Sequence, residues 1–322
     1  MTALRGGFIV LDTILEEGTP HRICPSCRNG SPILEGEAIW PTGYVCSHCG
    51  DTTPVEMGIP LFAPKLADTI TGFDPKSFEM LAEIEDNHFW FVPRNRMLTG
   101  LIQKYFPNAQ DILEVGCGNG TVLSALSKGG KRRHLVGSEL HPSGLAVAAQ
   151  RLGKNAELVQ MDAREIMAEN AFDVIGAYDV IEHIAEDEMV LQSMHKALRP
   201  GGGVVIAVPQ HPWLWSTADE VAYHERRYKL GELEEKLNRN GFRPIFSTSY
   251  CSFLLPIMIT SRLMERWRKK NTQQSEMSDM EAKPPGAANA VLKSVLQAEV
   301  TAILAGVRFP VGGSRVVVAT RV

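Results

Sequence analysis

The sequence predicts an α/β protein. A mostly parallel sheet of seven strands carries helices on both faces, and a small metal-organised domain stands in front of it. Three observations carry that expectation. From residue 111 onward, short apolar runs alternate with helix-patterned segments, as strands joined by crossover helices do. The run Ile112-Leu113-Glu114-Val115 passes directly into Gly116-Cys117-Gly118-Asn119-Gly120, with glycine at every second position. Two C-x-x-C pairs, Cys24/Cys27 and Cys46/Cys49, stand near the N-terminus.

The chain has 322 residues, enough for one large domain or two ordinary ones with a proper core. Thirty-three basic residues against 37 acidic ones give a net charge of −4, so nothing global marks a nucleic-acid binder. The segment 1–20 has an apolar patch but one basic residue, and it lacks the long apolar region and cleavage site of a signal peptide. No run reaches the roughly 18 apolar residues of a spanning helix. A cytoplasmic location is expected. In a reducing compartment the six cysteines point to metal or incidental thiols, not disulfides.

Residues 21–66 read as a zinc ribbon. Eighteen residues separate Cys27 from Cys46, which suits a four-cysteine zinc site. Each C-x-x-C turn aims two thiolates at one tetrahedral ion. An iron site of rubredoxin type would use the same four ligands. A thioredoxin-like motif is disfavoured, because two pairs occur and no βαβ pattern surrounds them. His48 reads as a solvated turn residue.

The main domain, 109–322, follows a helical linker over 67–108. Residues 111–115, 134–139, 157–161, 172–178 and 203–208 read as strands one to five. Helices are expected over 121–128, over 142–151 with Pro142 at the start, and over 187–198, stopped by Arg199-Pro200-Gly201-Gly202. A helix over 230–240 ends at Gly241. Residues 243–250 and 314–321 close the sheet as an antiparallel pair. Insertions fall at about 209–229 and 251–306.

Glycines at 116, 118 and 120 let the backbone take positive φ and approach a ligand closely. The spacing is G-x-G-x-G, not the G-x-G-x-x-G of dinucleotide sites, and no phosphate-cradling Lys-Ser/Thr follows. The pattern points away from NAD and ATP, toward a nucleoside carrying a carboxylate: S-adenosylmethionine.

With these motifs in this order, the chain from about residue 73 resembles the class I S-adenosylmethionine-dependent methyltransferases. That resemblance implies their Rossmann-like seven-stranded methyltransferase sheet. It implies that Glu114, Gly116, Gly118 and Gly120 hold the methionine part of the cofactor. It assigns Glu139, followed by Leu140, to the ribose hydroxyls, and Asp162 with Ala163 to the adenine. Tyr178-Asp179-Val180-Ile181-Glu182-His183 would lie beside the transferring methyl. Read without the resemblance, Glu139 is a helix-capping acid, Asp162 an N-cap for a helix at Ala163, and Cys117 a packing residue. Upstream, the run from Glu85 to Arg96 (EDNHFWFVPRNR) resembles the segment before the first strand in bacterial small-molecule methyltransferases. There Trp90 and Arg94 match the aromatic that covers the cofactor and the arginine that approaches its carboxylate. The alternative is an amphipathic helix with Phe89 and Trp90 in the core. The ribbon, through Thr42 to Gly50 and Met57-Gly58-Ile59-Pro60-Leu61, is similar to a bacterial ribbon often fused to methyltransferases. It also resembles the zinc-ribbon activator subunit of eukaryotic methyltransferases.

Methyl transfer from a sulfonium mainly needs alignment and water exclusion. A hydroxyl acceptor also wants a base, whereas an amine must only be neutral. The candidate bases are His183, His211, His224 and Tyr228, with Arg226 and Arg227 available for an anionic acceptor. No carboxylate cluster of the metal-dependent catechol type stands out. Residues 251–264 are apolar and run into Arg262, Arg266, Arg268, Lys269 and Lys270. Over 251–270 three readings compete: a lid, a dimer face, or an interfacial helix on a membrane. Residues 271–290 read as a mobile loop and 288–304 as a helix.

The expected activity is methyl transfer to a hydroxyl or amine of a small molecule, such as a sugar, a lipid-linked sugar or a natural product. One alternative is an RNA methyltransferase that uses its ribbon for substrate, as in a bacterial ribosomal-RNA guanine methyltransferase. The ribbon opposes Arg22, Arg28 and Lys65 with Glu35, Glu37, Asp51 and Glu56, a balance that argues against nucleic acid. The other alternative is a non-catalytic cofactor-binding scaffold.

Overall fold

The computed structural model describes residues 18–67, 76–131, 133–271 and 284–322. Its sheet consists of β1 (Asp111–Val115), β2 (His134–Glu139), β3 (Glu157–Gln160), β4 (Phe172–Tyr178), β5 (Leu198–Pro209), β6 (Phe242–Tyr250) and β7 (Ser314–Arg321). The spatial order is β6-β7-β5-β4-β1-β2-β3. From β3 through β5 every pair is parallel, and β7 runs antiparallel between β5 and β6. Helices cover both faces: α1 (Lys76–Ile84), α2 (Phe91–Tyr105), α3 (Thr121–Ser127), α4 (Pro142–Leu152), α5 (Asp187–Ala197), α6 (Glu232–Arg239), α7 (Leu255–Asn271) and α8 (Gly286–Leu304). Central strands with both faces buried must be apolar throughout. Accordingly Leu113 and Val115 pack with α5 and α6, while Ile112 packs with α2, α3 and α8.

Some boundaries differ from the sequence expectation. β5 starts at Leu198, which pairs with Phe172 before the Arg199–Gly202 turn shifts the register. α6 starts only at Glu232, because Gly231 at its N-cap is left-handed. α8 starts at Gly286, so residues 286–290 are helix where a loop was expected; residues 272–283 of that loop lie outside the described residues. No helix begins at Ala163. Instead Asp162 Oδ1 accepts the Arg164 N–H at 2.9 Å, and the chain turns toward the ribbon. α8 is long and apolar enough to cross a membrane by composition, although no sequence run suggested one. Lys293, Gln297 and Glu299 interrupt the run without making the helix polar. It packs on α2, where a Cβ at Gly100 would meet Leu304 Cδ2 at 2.7 Å. Its buried Glu299 accepts the Ser252 and Phe253 N–H groups at 3.0 and 2.9 Å.

The ribbon is stitched to this sheet. Its strand His21–Ile23 pairs with Gly30–Pro32 on one side and with Ala168–Glu169 of the main domain on the other. The Trp40 indole donates to Met167 O at 2.8 Å, and its ring lies 5.9 Å from both Phe62 and Phe172. Gln160 ends β3 fully buried. Its amide accepts the Ala63 N–H (2.9 Å) and donates to Ala63 O (2.8 Å) and Leu140 O (3.1 Å).

At the opposite edge His134 lies between Asp111 and Glu157, at 2.9 and 2.8 Å. Those two carboxylate bonds hold the imidazolium, with its titration raised from 6.5 to about 9. A cation favoured by the fold stabilises it most below the unfolded value, and the gain fades as pH rises through about 9. We expect thermal unfolding scans from pH 7 to pH 10 to show stability falling. In His134→Gln, this component of the fall disappears, with a cost of about 1–2 kcal/mol at neutral pH.

Candidate active site

A cavity of about 440 Å³ opens where the C-terminal ends of β1, β2 and β4 converge. α1 and the start of α2 wall it on one side, and the 209–229 insertion contributes Ala222 and His224. It continues into a cleft of about 380 Å³ over Asp162 and Ala163, the two sharing Gly116, Glu139, Leu140, His183 and Ile184. Ligands of open parallel sheets bind at such carboxyl ends.

The glycine turn forms the floor. Gly116 takes φ 63° and Gly118 φ 49°, the left-handed region that costs most residues energy. Glu139 braces this turn: its Oε2 accepts the Gly118 N–H at 3.1 Å, and Oε1 accepts those of Leu140 and His141 at 2.8 and 3.0 Å. Glu114 is buried, and burial pushes its carboxyl up to about 8 against the opposing pull of Arg94. Its Oε2 has no hydrogen-bond partner among the described residues. α1 is fastened to the turn through Asn119, whose amide donates to Phe78 O (2.9 Å) and Glu85 Oε2 (3.1 Å); Arg151 also donates to Glu85, at 3.0 Å.

Trp90 and Arg94 both line the cavity, while the Phe89 side chain packs in the core beside α2. The Arg94 guanidinium stacks 4.8 Å from the Trp90 ring and pairs with Asp179 at 2.5 Å. It therefore neutralises a carboxylate of the site and is not a free anion receptor. Asp162 is similarly held, by Arg164 Nε at 3.0 Å. Asp179 itself takes φ 56°, a strained state for a non-glycine residue that points to function.

Beside Asp179 stands a cluster that the sequence reading had not assembled. The His183 and His224 rings meet edge to face at 4.7 Å. Glu182 is fully buried; among the described residues neither carboxylate oxygen has a hydrogen-bond partner, Oε1 lies 4.0 Å from His224 Nε2, and burial holds the carboxyl well above the ordinary range. Ligand-type atoms of Glu182, His183 and His224 lie within 4.8 Å of one another. Burial, then His224, drives His183 down to about 4, so its ring is neutral. His224 Nδ1 lies 2.9 Å from Asp219 Oδ1, which also accepts from Arg227 Nε at 2.7 Å. These partners outweigh burial and hold Asp219 down to about 2. An ionised carboxylate only accepts, so Nδ1 carries a hydrogen toward Asp219, and Nε2, 4.0 Å from Glu182 Oε1, is the ring nitrogen turned away from it. A Ser216-Thr217-Ala218-Asp219 capping box, whose local signature is S-x-x-D, fixes Asp219.

Two expected bases do not reach the cavity. Tyr228 is wholly buried and donates to Asp187 Oδ2 at 2.7 Å, as a core residue between the insertion and α5. His211 is also buried and stacks on Trp213 at 5.2 Å. Arg226 and Arg227 are engaged by Asp187 and Asp219, at 3.0 and 2.7 Å, so they do not form an anion-binding pair.

Residues 112–202 match the family model described as a methyltransferase domain. Similar curated proteins include the ubiquinone biosynthesis O-methyltransferase of Pseudomonas aeruginosa, 30% identical over 103 residues, covering 30% of this chain and 43% of that protein. That of Aliivibrio fischeri is 33% identical over 98 residues, covering 29% and 41%. The chain thus matches under half the length of these relatives. Phosphoethanolamine N-methyltransferase 2 of Haemonchus contortus, solved with S-adenosyl-L-methionine, shares the fold at TM-score 0.51 and 21% identity, covering 80% of this chain and 59% of that one. A putative sarcosine dimethylglycine methyltransferase from Galdieria sulphuraria does so at 0.52 and 13%, covering 76% and 97%.

The lining of this cavity suits S-adenosylmethionine. The partnerless Glu114 oxygen suits the methionine ammonium, and Glu139 suits the ribose hydroxyls. Gly118 leaves the floor open, since a Cβ there would meet only Phe78 Cε1, at 3.7 Å. A carboxyl that titrates at about 8 is mostly protonated at pH 7, and a cation beside it makes it release that proton. We expect calorimetry of S-adenosylmethionine binding at pH 7 in buffers of different ionisation heat to show release of about 0.9 proton. Glu114→Gln should abolish that release.

Proposed function

We propose that this chain transfers the methyl group of S-adenosylmethionine to a hydroxyl of a small molecule. We further propose that zinc held by Cys24, Cys27, Cys46 and Cys49 organises its ribbon. The observation that carries the first part is the Asp219-tied His224, which faces the cavity next to the strained Asp179. An amine acceptor needs no such base; an acceptor O–H does.

When bound, S-adenosylmethionine supplies an electrophilic methyl on a sulfonium. Glu114, Gly118 and Glu139 hold it against the β1 turn. His224 Nε2 takes the acceptor hydroxyl proton, and Asp219 keeps the ring oriented and stabilises the imidazolium that results. α1 and the Trp90–Arg94 pair exclude water over the reacting groups. An RNA acceptor finds less support. Arg22 and Arg28 of the ribbon are bound by Glu37 and Glu165, at 2.8 and 2.9 Å, which leaves no basic face for phosphates. A scaffold without catalysis would have no use for an oriented dyad at the cavity.

The zinc reading rests on geometry. Four thiolates around zinc, with Zn–S near 2.3 Å, stand about 3.8 Å apart. Cys24 and Cys49 sulfurs are 3.7 Å apart, as are those of Cys27 and Cys46. The Asn29 amide and the His48 backbone N–H donate to Cys27 and Cys46 sulfurs at 3.4 Å each, which favours thiolates.

His224→Ala should lower the turnover of label from methyl-labelled S-adenosylmethionine into a metabolite extract by about 10²–10⁴-fold. Calorimetric affinity for the cofactor should be unchanged. Label entering only RNA would overturn the small-molecule reading. Metal analysis should give about one zinc per chain, and Cys46→Ser should lose the metal and lower the melting temperature.

A further inference from the structure

α7 turns its apolar side outward. Ile257, Leu263 and Met264 are each 57% exposed and Trp267 is 69% exposed. At about 100° per residue, Ile257, Thr260, Leu263, Met264 and Trp267 fall within roughly 120° of one face. The other side of the helix is the one that packs: Leu255 is buried at its start, and Met258 joins the core of α2 and α8. Trp213 is 49% exposed, and the Arg266 guanidinium donates to its carbonyl at 2.5 Å.

The charge of this segment is almost all of one sign. Residues 251–271 hold five basic side chains (Arg262, Arg266, Arg268, Lys269, Lys270) and one acid, Glu265, for a net charge of +4 on a chain that is −4 overall. We propose that α7 lies on an anionic lipid surface, with Ile257, Leu263, Met264 and Trp267 in the headgroup boundary and the net positive charge of the segment drawing it to the lipid phosphates. An exposed apolar stripe of this kind beside basic residues is what such a surface binds. A second copy fits less well. A two-fold contact would set each +4 segment against its own image. The helix is anchored firmly enough to serve as a docking element. Glu299 accepts the N–H groups of Ser252 and Phe253 just ahead of it, and Glu265 accepts the Thr217 N–H at 2.7 Å.

Co-sedimentation of the full chain with phosphatidylcholine vesicles, with and without phosphatidylglycerol, tests this. We expect binding only to the anionic vesicles and its loss at high salt. Lys269→Glu with Lys270→Glu should weaken it at least about tenfold. Trp267→Ser with Met264→Ser should remove it, while circular dichroism and cofactor affinity stay at wild-type values. Failure to bind anionic vesicles, equal binding to both vesicle types, or unchanged binding by the stripe variant overturns the proposal. So does sedimentation velocity showing a wild-type dimer that the stripe variant disperses, because a second copy would then cover the face.

Discussion

A Cβ at position 116 would lie 2.5 Å from Val180 Cγ2, far inside contact distance. Glycine there lets the exit of β1 press against the exit of β4, and the whole site follows from that approach. On one side the turn is pinned to β2 by the Cys117 N–H to Ser138 O bond at 2.9 Å. That bond holds Glu139 where it can accept the Gly118 N–H. On the other side Val180 is held in place, and Asp179 must take a left-handed backbone whose N–H donates to Ala207 O of β5 at 2.9 Å. The short turn Ile181–His183 then places Glu182 and His183 beside the cavity. Three strands thus deliver their side chains to one point because one residue has none.

The parts of this arrangement that depend on local rules were legible in the sequence. Strand ends, the glycine turn and Glu139 follow from apolar runs and spacing, and the structure puts them at one cavity. The misjudged residues depend on long-range partners. Nothing local separates His224 from His211, or Tyr228 from a cavity residue; the difference is Asp219 five residues before His224 and Asp187 across the domain from Tyr228. Arg94, matched by resemblance to an arginine that approaches the cofactor's carboxylate, does line the cavity, and its partner Asp179, 85 positions away, is one that no local pattern signals. α8 is expected from the sequence as a helix over 288–304, but not as one apolar enough to span a membrane, because a charged or amide residue breaks each short run. Such residues are legible only where their faces can be seen, as at Glu299, whose carboxylate caps the chain entering α7.

The ribbon is too small to fold around its own apolar residues, and it does not stand apart. Its first strand shares a sheet with Ala168–Glu169, and Trp40 sits in the core of the main domain. The loop between Asp162 and Glu169 is therefore clasped between ribbon and cavity. Gln160 does the same from the edge of the sheet, bonding Ala63 of the ribbon's exit with one amide and Leu140 of the cavity wall with the same nitrogen. A buried amide with both ends satisfied is rigid, because breaking one bond leaves a desolvated group unpaired. Ordering the ribbon thereby orders one wall of the cavity, because the two are joined by backbone pairing at Ala168–Glu169.

Charge gives the same site its direction. The cavity is lined by four carboxylates, Glu85, Glu114, Glu139 and Asp179, and one arginine, Arg94, with Glu182 buried beside them. Arg94 is used by Asp179, Arg151 satisfies Glu85, and Glu139 is held by three backbone N–H groups. Glu114 and Glu182 have no such relief, and burial holds both toward the neutral acid. Leaving buried carboxyls uncompensated costs folding energy unless a ligand brings the missing positive charge. S-adenosylmethionine brings an ammonium and a sulfonium. Its demethylated product keeps the first and loses the second. In the proposed function, the two would differ by one positive charge at a cavity lined by four carboxylates.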